Sequence, residues 1–317
     1  MKMKYLIILF FGIWVSCNSV NAQKDTYGHS KHPSLYILGT VQDGGSPHIG
    51  CQKSCCEGLF KNPDPTRKVV SLGVVDHLNQ KSYLFEATPD LPSQLKLLKE
   101  RSNLNQEVPD GIFITHAHIG HYTGLMYLGR ESLGSKRVPV YAMPKMKRFL
   151  ETNGPWSQLV KLNNISIQSI QNEKTIQLTQ DLSVIPFTVP HRDEYSETVG
   201  FKIIGPNKSV LFIPDIDKWS KWEKDILNEI KAVDLAFLDA TFFDGPEINS
   251  RNIAEIPHPF VVESMQLLKD LPQVEKSKVY FIHFNHTNAL LDTTSPAYKK
   301  VIDSGFNMAT FGSRFKL

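Results

Sequence analysis

Three histidines stand within six residues of the segment THAHIGHYTGL, as His116, His118 and His121. They follow GIFIT (residues 111–115), an apolar run that predicts a buried strand ending at a turn. Imidazole nitrogens suit zinc and other borderline divalent metals, and three so close together are costly unless something binds them. The spacing therefore predicts a metal site at the end of this strand.

Three further apolar runs also lead directly to a residue that can bind a metal. VIPFTVP precedes His191, VLFIP precedes Asp215, and VYFI precedes His283. Core strands place such residues together at one sheet edge, where rigid elements can fix ligand geometry. We therefore expect one metal centre built from residues at four strand ends: His116, His118, His121, His191, Asp215 and His283.

The elements that position these residues alternate along the chain. Leu91–Leu98, Ile226–Ile230 and Phe260–Leu268 have helical spacing, whereas Val199–Ile204 and Val210–Ile213 form a predicted hairpin. Hydrophobic residues make up 41% of the chain and charged residues 21%, a balance typical of globular proteins that excludes a disordered or fibrous chain. Strands alternating with helices and hairpins predict one α/β domain, residues 34–317, with helices covering β-sheets.

The first 22 residues are predicted to be an export signal. Lys2 and Lys4 form a short positive region, and the apolar run YLIILFFGIWV follows at residues 5–15. That run is too short for a membrane-spanning helix, which needs about 20 residues. Two processing sites stay open: a bacterial lipoprotein signal that ends before Cys17 and leaves it lipidated, or cleavage after Ala22.

Residues 23–33 are polar and are predicted to form a tether, so the mature protein would be periplasmic or a membrane-anchored bacterial lipoprotein. The formal net charge is +3, and lysines of the export signal contribute two of those charges. The rest of the chain has no basic excess with which to bind a long nucleic acid. The expected partner is a small-molecule substrate, with a lipid anchor to the membrane if Cys17 is lipidated. A homodimer stays open.

Three cysteines lie within six residues, as Cys51, Cys55 and Cys56. Adjacent cysteines form a strained bridge, and an odd number leaves one unpaired, so disulfides fit poorly even in an exported protein. Thiolate ligation of a metal fits the spacing better. Buried or redox-active thiols are the alternative.

THAHIGHYTGL resembles the HxHxDH motif of the metallo-β-lactamase superfamily, and the later residues occur in that family's order. The resemblance extends over roughly residues 35–315 and implies a four-layer αββα sandwich. It implies Zn²⁺ or Mn²⁺ at two positions, with His116, His118 and His191 at the first, His121 and His283 at the second, and Asp215 bridging both.

The chain departs from that motif at Gly120, where the family pattern has an aspartate. In the family that carboxylate binds the second metal and helps to orient the attacking water. Its absence leaves two expectations open, a mononuclear site or a dinuclear site with a solvent ligand. Nearby candidates to replace the carboxylate are Asp193, Glu194 and Glu86.

Four further segments resemble the pyrroloquinoline-quinone biosynthesis protein B group and the related cyclic-phosphate phosphodiesterases: LGTVQDGGSPHIGCQKSCC, LFEATPDLPSQL, LAFLDATFF and IHFNHTNALL. In the phosphodiesterases, a cysteine cluster and a histidine three residues after the last active-site histidine hold a structural zinc. The resemblance therefore implies a Cys₃His structural Zn²⁺ site, although the spacing here is CxxxCC instead of CxCxxC. Its ligands would be Cys51, Cys55, Cys56 and His286.

Three more residues are expected to support the centre. Glu86 and Asp90, in FEATPD, would orient ligating histidines, as carboxylates commonly do, with a solvated loop acid as the alternative for Asp90. His258, in IPHPF, resembles a histidine of tRNA-processing relatives that protonates a leaving group. A surface histidine is the alternative.

Together these residues predict a metal-dependent hydrolase that uses a metal-bound hydroxide, since a divalent cation lowers the pKa of its bound water to roughly 7. Asp215 would position the hydroxide and His258 would serve as the acid. The phosphodiesterase resemblance implies a small phosphodiester or cyclic phosphate as substrate. The alternatives are a metal-dependent oxidoreductase of pyrroloquinoline-quinone biosynthesis protein B type and, because of Gly120, a non-catalytic metal-binding relative.

Overall fold

The computed structural model describes residues 32–248 and 255–317. The predicted export signal and nearly all of the predicted tether lie outside these residues. In the described part of the chain, no helix has both the length and the apolar character needed to cross a membrane.

One sheet is formed mainly by the first half of the chain. Its strands are β1 (Ser34–Gly39), β2 (Ser71–Asp76), β3 (Lys81–Phe85), β4 (Gly111–Phe113), β5 (Val138–Ala142), β6 (Ile165–Ser169) and β14 (Arg314–Lys316). Their order within the described residues is β14-β1-β2-β3-β4-β5-β6. The strands from β3 to β6 are parallel to one another, whereas β14, β1, β2 and β3 pair antiparallel.

The second sheet is formed by the second half of the chain. Its strands are β7 (Ile176–Thr179), β8 (Leu182–Thr188), β9 (Val199–Ile204), β10 (Ser209–Ile213), β11 (Leu235–Asp239), β12 (Val279–Ile282) and β13 (Asn307–Met308). Among the described residues they lie in the order β13-β12-β11-β10-β9-β8-β7. The strands from β10 to β13 are parallel, and those from β7 to β10 are antiparallel.

Helices cover the outer faces of both sheets. They are α1 (Ser54–Glu57), α2 (Leu91–Ser102), α3 (Ile119–Tyr122), α4 (Pro144–Thr152), α5 (Trp156–Lys161), α6 (Ile226–Lys231), α7 (Val261–Leu267), α8 (Gln273–Lys276) and α9 (Pro296–Asp303). Short 3₁₀ turns occur at Thr123–Leu128, Trp219–Lys221, Gly245–Ile248 and Ala289–Leu291. Apolar residues of α2, α4 and α5 pack on the first sheet, and those of α6, α7 and α9 on the second. The predicted four-layer αββα sandwich is confirmed.

Aromatic side chains fill the space between the two sheets. Phe85 and Phe113 of the first sheet stack at 4.8 Å, and Phe201 of the second meets both edge-on at 5.4 and 5.5 Å. All three are fully buried. Each aromatic ring removes about 150–250 Å² of surface from water, so this layer holds the sheets together.

The direction of the strands brings the ends of β8, β10, β11 and β12 to one edge. The strands β10, β11 and β12 are parallel, and β9 runs in the opposite direction between β8 and β10. Consequently the residues that follow these four strands, which are His191, Asp215, Ala240 and His283, emerge on the same side of the sheet.

The predicted strand at residues 111–115 is shorter in the structure and ends at Phe113. The next residues cross between the sheets: the Ile114 N–H donates to the Tyr141 carbonyl, and the Thr115 carbonyl accepts from the Val199 N–H of β9. β4 therefore ends early because the chain leaves the first sheet after Phe113 and carries the histidine segment to the edge of the second sheet.

A buried carboxylate at the end of β2 joins the two sheets. Asp76 accepts hydrogen bonds from the backbone N–H groups of Leu78 (3.1 Å) and Asn79 (3.0 Å) and from the Thr179 hydroxyl of β7 (2.6 Å). Burial alone would raise the pKa of Asp76, but these donors lower it below its usual value. The ionised form is therefore the form that the fold stabilises.

We expect Asp76→Ala to lower the free energy of unfolding by about 2 kcal/mol at pH 7, because it leaves buried donors without an acceptor. Since the folded-state pKa is depressed, the carboxylate's contribution is complete above the unfolded value of about 3.9 and is lost as the pH falls through the lower folded value. Urea unfolding from pH 7 to pH 3 measures both effects. Asp270→Ala, at an exposed position, is the control, and a loss equally large for both variants contradicts the role of Asp76.

Candidate metal centre

Three imidazoles converge on one oxygen of Asp215. Its Oδ2 lies 3.4 Å from His116 Nε2, 3.9 Å from His118 Nδ1 and 3.3 Å from His191 Nε2. The ligand atoms of these four residues all lie within 4.8 Å of one another. This is the group that the family resemblance implies for the first metal.

A second group adjoins the first. His121 Nε2 lies 3.8 Å from the same Asp215 oxygen. His121 and His283 gather with Asp43, their ligand atoms again within 4.8 Å of one another. The family resemblance implies both histidines for the second metal, but the sequence pattern does not single out Asp43, which lies in the glycine-rich segment TVQDGGSP.

Most of the imidazole rings have a neighbouring side chain beside the nitrogen that faces away from the centre. In four rings a partner lies within 3.3 Å of Nδ1, and the pairs are Thr115–His116, Glu86–His121, Asp217–His191 and Thr241–His283. In His118, Nδ1 itself faces Asp215. The opposite nitrogens of His121, His191 and His283 are buried and have no hydrogen-bond partner in the described structure. His191 and His283 thus combine a hydrogen-bonded Nδ1 with an unpartnered Nε2, which is the arrangement of metal-ligating histidines. The residues therefore fit a divalent metal.

The charges within the site favour ligand forms. Burial alone would raise the pKa of Asp215, but neighbouring imidazoles, His258 first, hold it well below its usual range. Burial and the charge of His121 lower the pKa of His116 well below its ordinary value. Burial also opposes protonation of His121, yet nearby carboxylates, Glu86 first, raise its pKa to about 9. An ionised carboxylate beside a neutral imidazole is what a divalent metal requires, and a metal would displace the proton of His121.

His258 lies between two buried carboxylates. Its Nδ1 is 2.9 Å from Asp239 Oδ2 and 3.1 Å from Asp215 Oδ1. Asp239 also accepts from the backbone N–H groups of Ile216 and Thr241. Burial would lower the pKa of His258, but the two carboxylates outweigh it and raise the pKa well above the usual value. The sequence pattern does not single out Asp239, although LAFLDATFF places it at the end of a strand.

The cysteines form a separate cluster. Cys51 Sγ lies 3.7 Å from Cys55 Sγ, which lies 4.0 Å from Cys56 Sγ. Ligand atoms of Cys51, Cys56 and His286 lie within 4.8 Å of one another. Tetrahedral zinc with Zn–S bonds of about 2.3 Å places its sulfurs about 3.8 Å apart. Burial and the neighbouring charge of His48 lower the pKa of His286 to about 4, which keeps this imidazole in the neutral form that a metal binds.

The other carboxylates considered from the sequence have different positions. Glu86 contacts His121 as expected. The expectation that Asp90 orients a ligand is wrong, because its carboxylate accepts instead from the Val69 N–H and pairs with Lys68 near the start of α2.

A cleft of about 640 Å³ opens beside His118 and Asp43. Aromatic side chains form one wall, and neighbouring ring centroids lie 4.9 to 5.8 Å apart. Tyr195 in this wall is 66% exposed, which leaves its ring available to a ligand. Arg192 adds a positive charge at the rim. The aromatic wall consists of Tyr122, Phe149, Trp156 and Tyr195.

Comparison with known proteins agrees with this architecture. Residues 81–284 match the family described as beta-lactamase superfamily domain. The coenzyme PQQ synthesis protein B of Methylococcus capsulatus is 25% identical over 308 residues, which cover 88% of this chain and 98% of that protein.

Two solved structures share the fold. A Zn²⁺-bound PqqB from Methylobacterium extorquens has a TM-score of 0.72 and 21% sequence identity, covering 90% of this chain and 100% of that one. A structure described as a new diphosphatase from the PhnP family has a TM-score of 0.59 and 22% identity, covering 90% and 97%.

Proposed function

The chain belongs to the β-lactamase superfamily, and on that premise we propose that it is a metal-dependent hydrolase of a small phosphodiester or cyclic phosphate. The observation that carries the proposal is the convergence of His116, His118 and His191 on Asp215 beside a cleft that has both an arginine and aromatic rings. The first metal would be held by these four residues, and the second by His121 and His283 with Asp215 between them.

When bound, a divalent metal lowers the pKa of a water ligand and neutralises charge that develops on a phosphoryl oxygen. The chain's own residues orient the reactants. Asp215, fully buried and ionised, accepts from the attacking water and fixes its direction. Thr115, Asp217 and Thr241 restrict rotation of the imidazoles of His116, His191 and His283, respectively.

His258 is the proposed proton donor to the leaving group. Its Nδ1 is engaged by Asp215 and Asp239, so Nε2 is the nitrogen left to carry a transferable proton. The two carboxylates raise the pKa of His258, which favours the protonated form that an acid needs. Because its side chain is 12% exposed, it can contact a ligand in the site while most solvent is excluded.

The cleft supports a substrate with a negative phosphoryl group and a planar substituent. Arg192 can bind a phosphoryl oxygen, and guanidinium groups recognise phosphate with two parallel hydrogen bonds. Tyr195 and Trp156 offer rings on which a planar group can stack. Similarity to a protein described as a diphosphatase also supports phosphoryl chemistry.

The proposal is tested with bis(4-nitrophenyl) phosphate, whose hydrolysis releases coloured 4-nitrophenolate. Protein reconstituted with Zn²⁺ or Mn²⁺ is expected to turn over this diester, and His116→Ala is expected to lose the activity. A neutral 4-nitrophenyl ester serves as the comparison substrate. Faster cleavage of the ester than of the diester, or full activity in His116→Ala, would contradict a phosphodiesterase at this site.

Arg192→Ala is expected to raise KM for the diester about tenfold with little change in kcat, since a hydrogen bond between charged groups contributes about 1.5–3 kcal/mol to binding. Steady-state kinetics measures this separation of KM from kcat. Arg130→Ala is the matched control, because Arg130 is an exposed arginine that does not line the cleft and pairs with Glu131. An unchanged KM in Arg192→Ala removes that residue from substrate binding.

A second candidate is a metal-dependent oxidoreductase acting on a quinone-precursor-like compound. Similarity to coenzyme PQQ synthesis proteins B over most of the chain favours it. Oxygen consumption by the iron-loaded protein, without diester hydrolysis in any metal form, would replace the hydrolase with this function.

We further propose that the cysteine cluster holds a structural zinc through Cys51, Cys55, Cys56 and His286. The sulfur separations close to those of tetrahedral zinc support this assignment. Such a zinc would join the loop after β1 to the segment that follows β12.

A further inference from the structure

The space of the missing family aspartate is filled by another residue. A Cβ atom added to Gly120 would lie 1.7 Å from the Cβ of Asp43 and 2.4 Å from its Cα. Atoms at that separation overlap, so no side chain fits at position 120 while Asp43 is in place. The side chain of Asp43 therefore starts from nearly the point at which an aspartate at position 120 would start.

Backbone pairing delivers Asp43 to this point. After β1, Val41 forms a bridge with Phe284, the residue that follows His283. The Gln42 N–H donates to the Phe284 carbonyl at 2.8 Å, and the Phe284 N–H donates to the Thr40 carbonyl at 2.8 Å. Asp43 is thus one residue beyond a segment hydrogen-bonded to the end of β12.

Two histidines that gather with Asp43 have nitrogen atoms without a partner among the described residues. The Nε2 atoms of His121 and His283 are buried without a hydrogen-bond partner among the described residues. These two imidazoles and the Asp43 carboxylate offer ligand atoms within 4.8 Å of one another. Two unpartnered nitrogens and a carboxylate at this spacing form half of an octahedral or most of a tetrahedral metal shell.

The other candidate carboxylates face elsewhere. Glu86 contacts Nδ1 of His121, on the ring edge opposite Nε2. Asp193 accepts from the Thr198 hydroxyl at 2.9 Å. Glu194 lies 3.7 Å from His118, which is one of the residues that gather around Asp215. None of these three joins the group formed by His121 and His283 in the described structure.

We propose that Asp43 is the carboxylate ligand of the second metal, supplied by the loop after β1 in place of the aspartate that position 120 lacks. Gly120 is then a requirement of this solution, because its missing side chain makes room for Asp43. The inference rests on the metal site that the proposed function also uses, but its test counts bound metal and requires no turnover.

The test compares zinc bound per chain in the full-length protein and its variants after equilibrium dialysis against a series of buffered free Zn²⁺ concentrations. At free Zn²⁺ concentrations that saturate the wild type, Asp43→Asn is expected to bind one zinc fewer per chain than the wild type. Affinity at that position should fall at least about 100-fold, the upper end of the loss seen when an outer partner of a metal ligand is removed. Glu131→Gln, which removes an exposed carboxylate that pairs with Arg130 outside the cleft, is expected to match the wild type.

A swap provides the complementary result. Gly120→Asp alone is expected to lower the melting temperature, because its side chain overlaps Asp43. Asp43→Gly combined with Gly120→Asp is expected to recover both the melting temperature and the lost zinc.

Wild-type and Asp43→Asn proteins that load the same zinc with the same affinity overturn the proposal, whatever the swap does. If the zinc counts follow expectation but no phosphodiester is hydrolysed, the ligand assignment stands and the proposed function fails.

Discussion

Replacing Asp215 with alanine is expected to lower kcat/KM for an aryl phosphodiester by at least about 1,000-fold, or about 4 kcal/mol of transition-state stabilisation. Asp215 Oδ2 lies 3.3 to 3.9 Å from nitrogens of four imidazoles, and Oδ1 lies 3.1 Å from His258. One substitution therefore removes the carboxylate between the two metal positions, the group proposed to orient the water and a partner of the proposed acid.

Steady-state kinetics of metal-reconstituted proteins measures the loss. Asp193→Asn is the control, since Asp193 lies on the loop after His191 but bonds Thr198 instead of the metal groups, and its activity should be close to wild type. The melting temperature of each variant separates lost chemistry from lost folding. An Asp215→Ala protein that is folded and keeps more than about a tenth of the activity would contradict the assignment.

The second large effect is expected on stability. Cys56→Ser should release the proposed structural zinc and lower the melting temperature on the order of 10 °C, equivalent to several kcal/mol. Zinc binding contributes about 10–16 kcal/mol in small structural zinc domains, and part of that is lost when three ligands remain. Cys56 is fully buried, and its sulfur accepts from the His48 N–H at 3.4 Å.

A comparison with and without zinc separates ligation from packing. In protein stripped of zinc by a chelator, wild type and Cys56→Ser should melt at nearly the same temperature, because the lost ligand has nothing to bind. Thermal unfolding followed by circular dichroism measures the melting temperature of each protein with zinc and without it. An equal difference between the two proteins in both conditions would mean that the thiol only fills space in the core.

Much of the fold follows from local patterns in the sequence. The apolar runs that end near His191, Asp215 and His283 are strands β8, β10 and β12, and their ends meet at one edge. Short apolar segments bounded by turns indicate the burial of these strands, and their alternation with helical segments indicates that they run parallel. The same reasoning holds for α2, where helical spacing from Leu91 continues until Asn103 takes a left-handed conformation with φ of 56°.

The features that the sequence pattern does not reveal depend on distant contacts. Asp43 reaches the centre only because Val41 pairs with Phe284, at the far end of the chain. Asp239 contributes through the orientation of His258, and Asp217 through the ring of His191. Local periodicity carries no information about such pairs. The glycine in place of a family aspartate was the one local sign that another residue could occupy that space.

The most direct test of the account is an anomalous difference map from a crystal grown with zinc and measured at the zinc absorption edge. We expect one peak among His116, His118, His191 and Asp215, a second among Asp43, His121 and His283, and a third among Cys51, Cys55, Cys56 and His286. A map in which the histidine groups carry no zinc, with their rings turned away from Asp215, would contradict it.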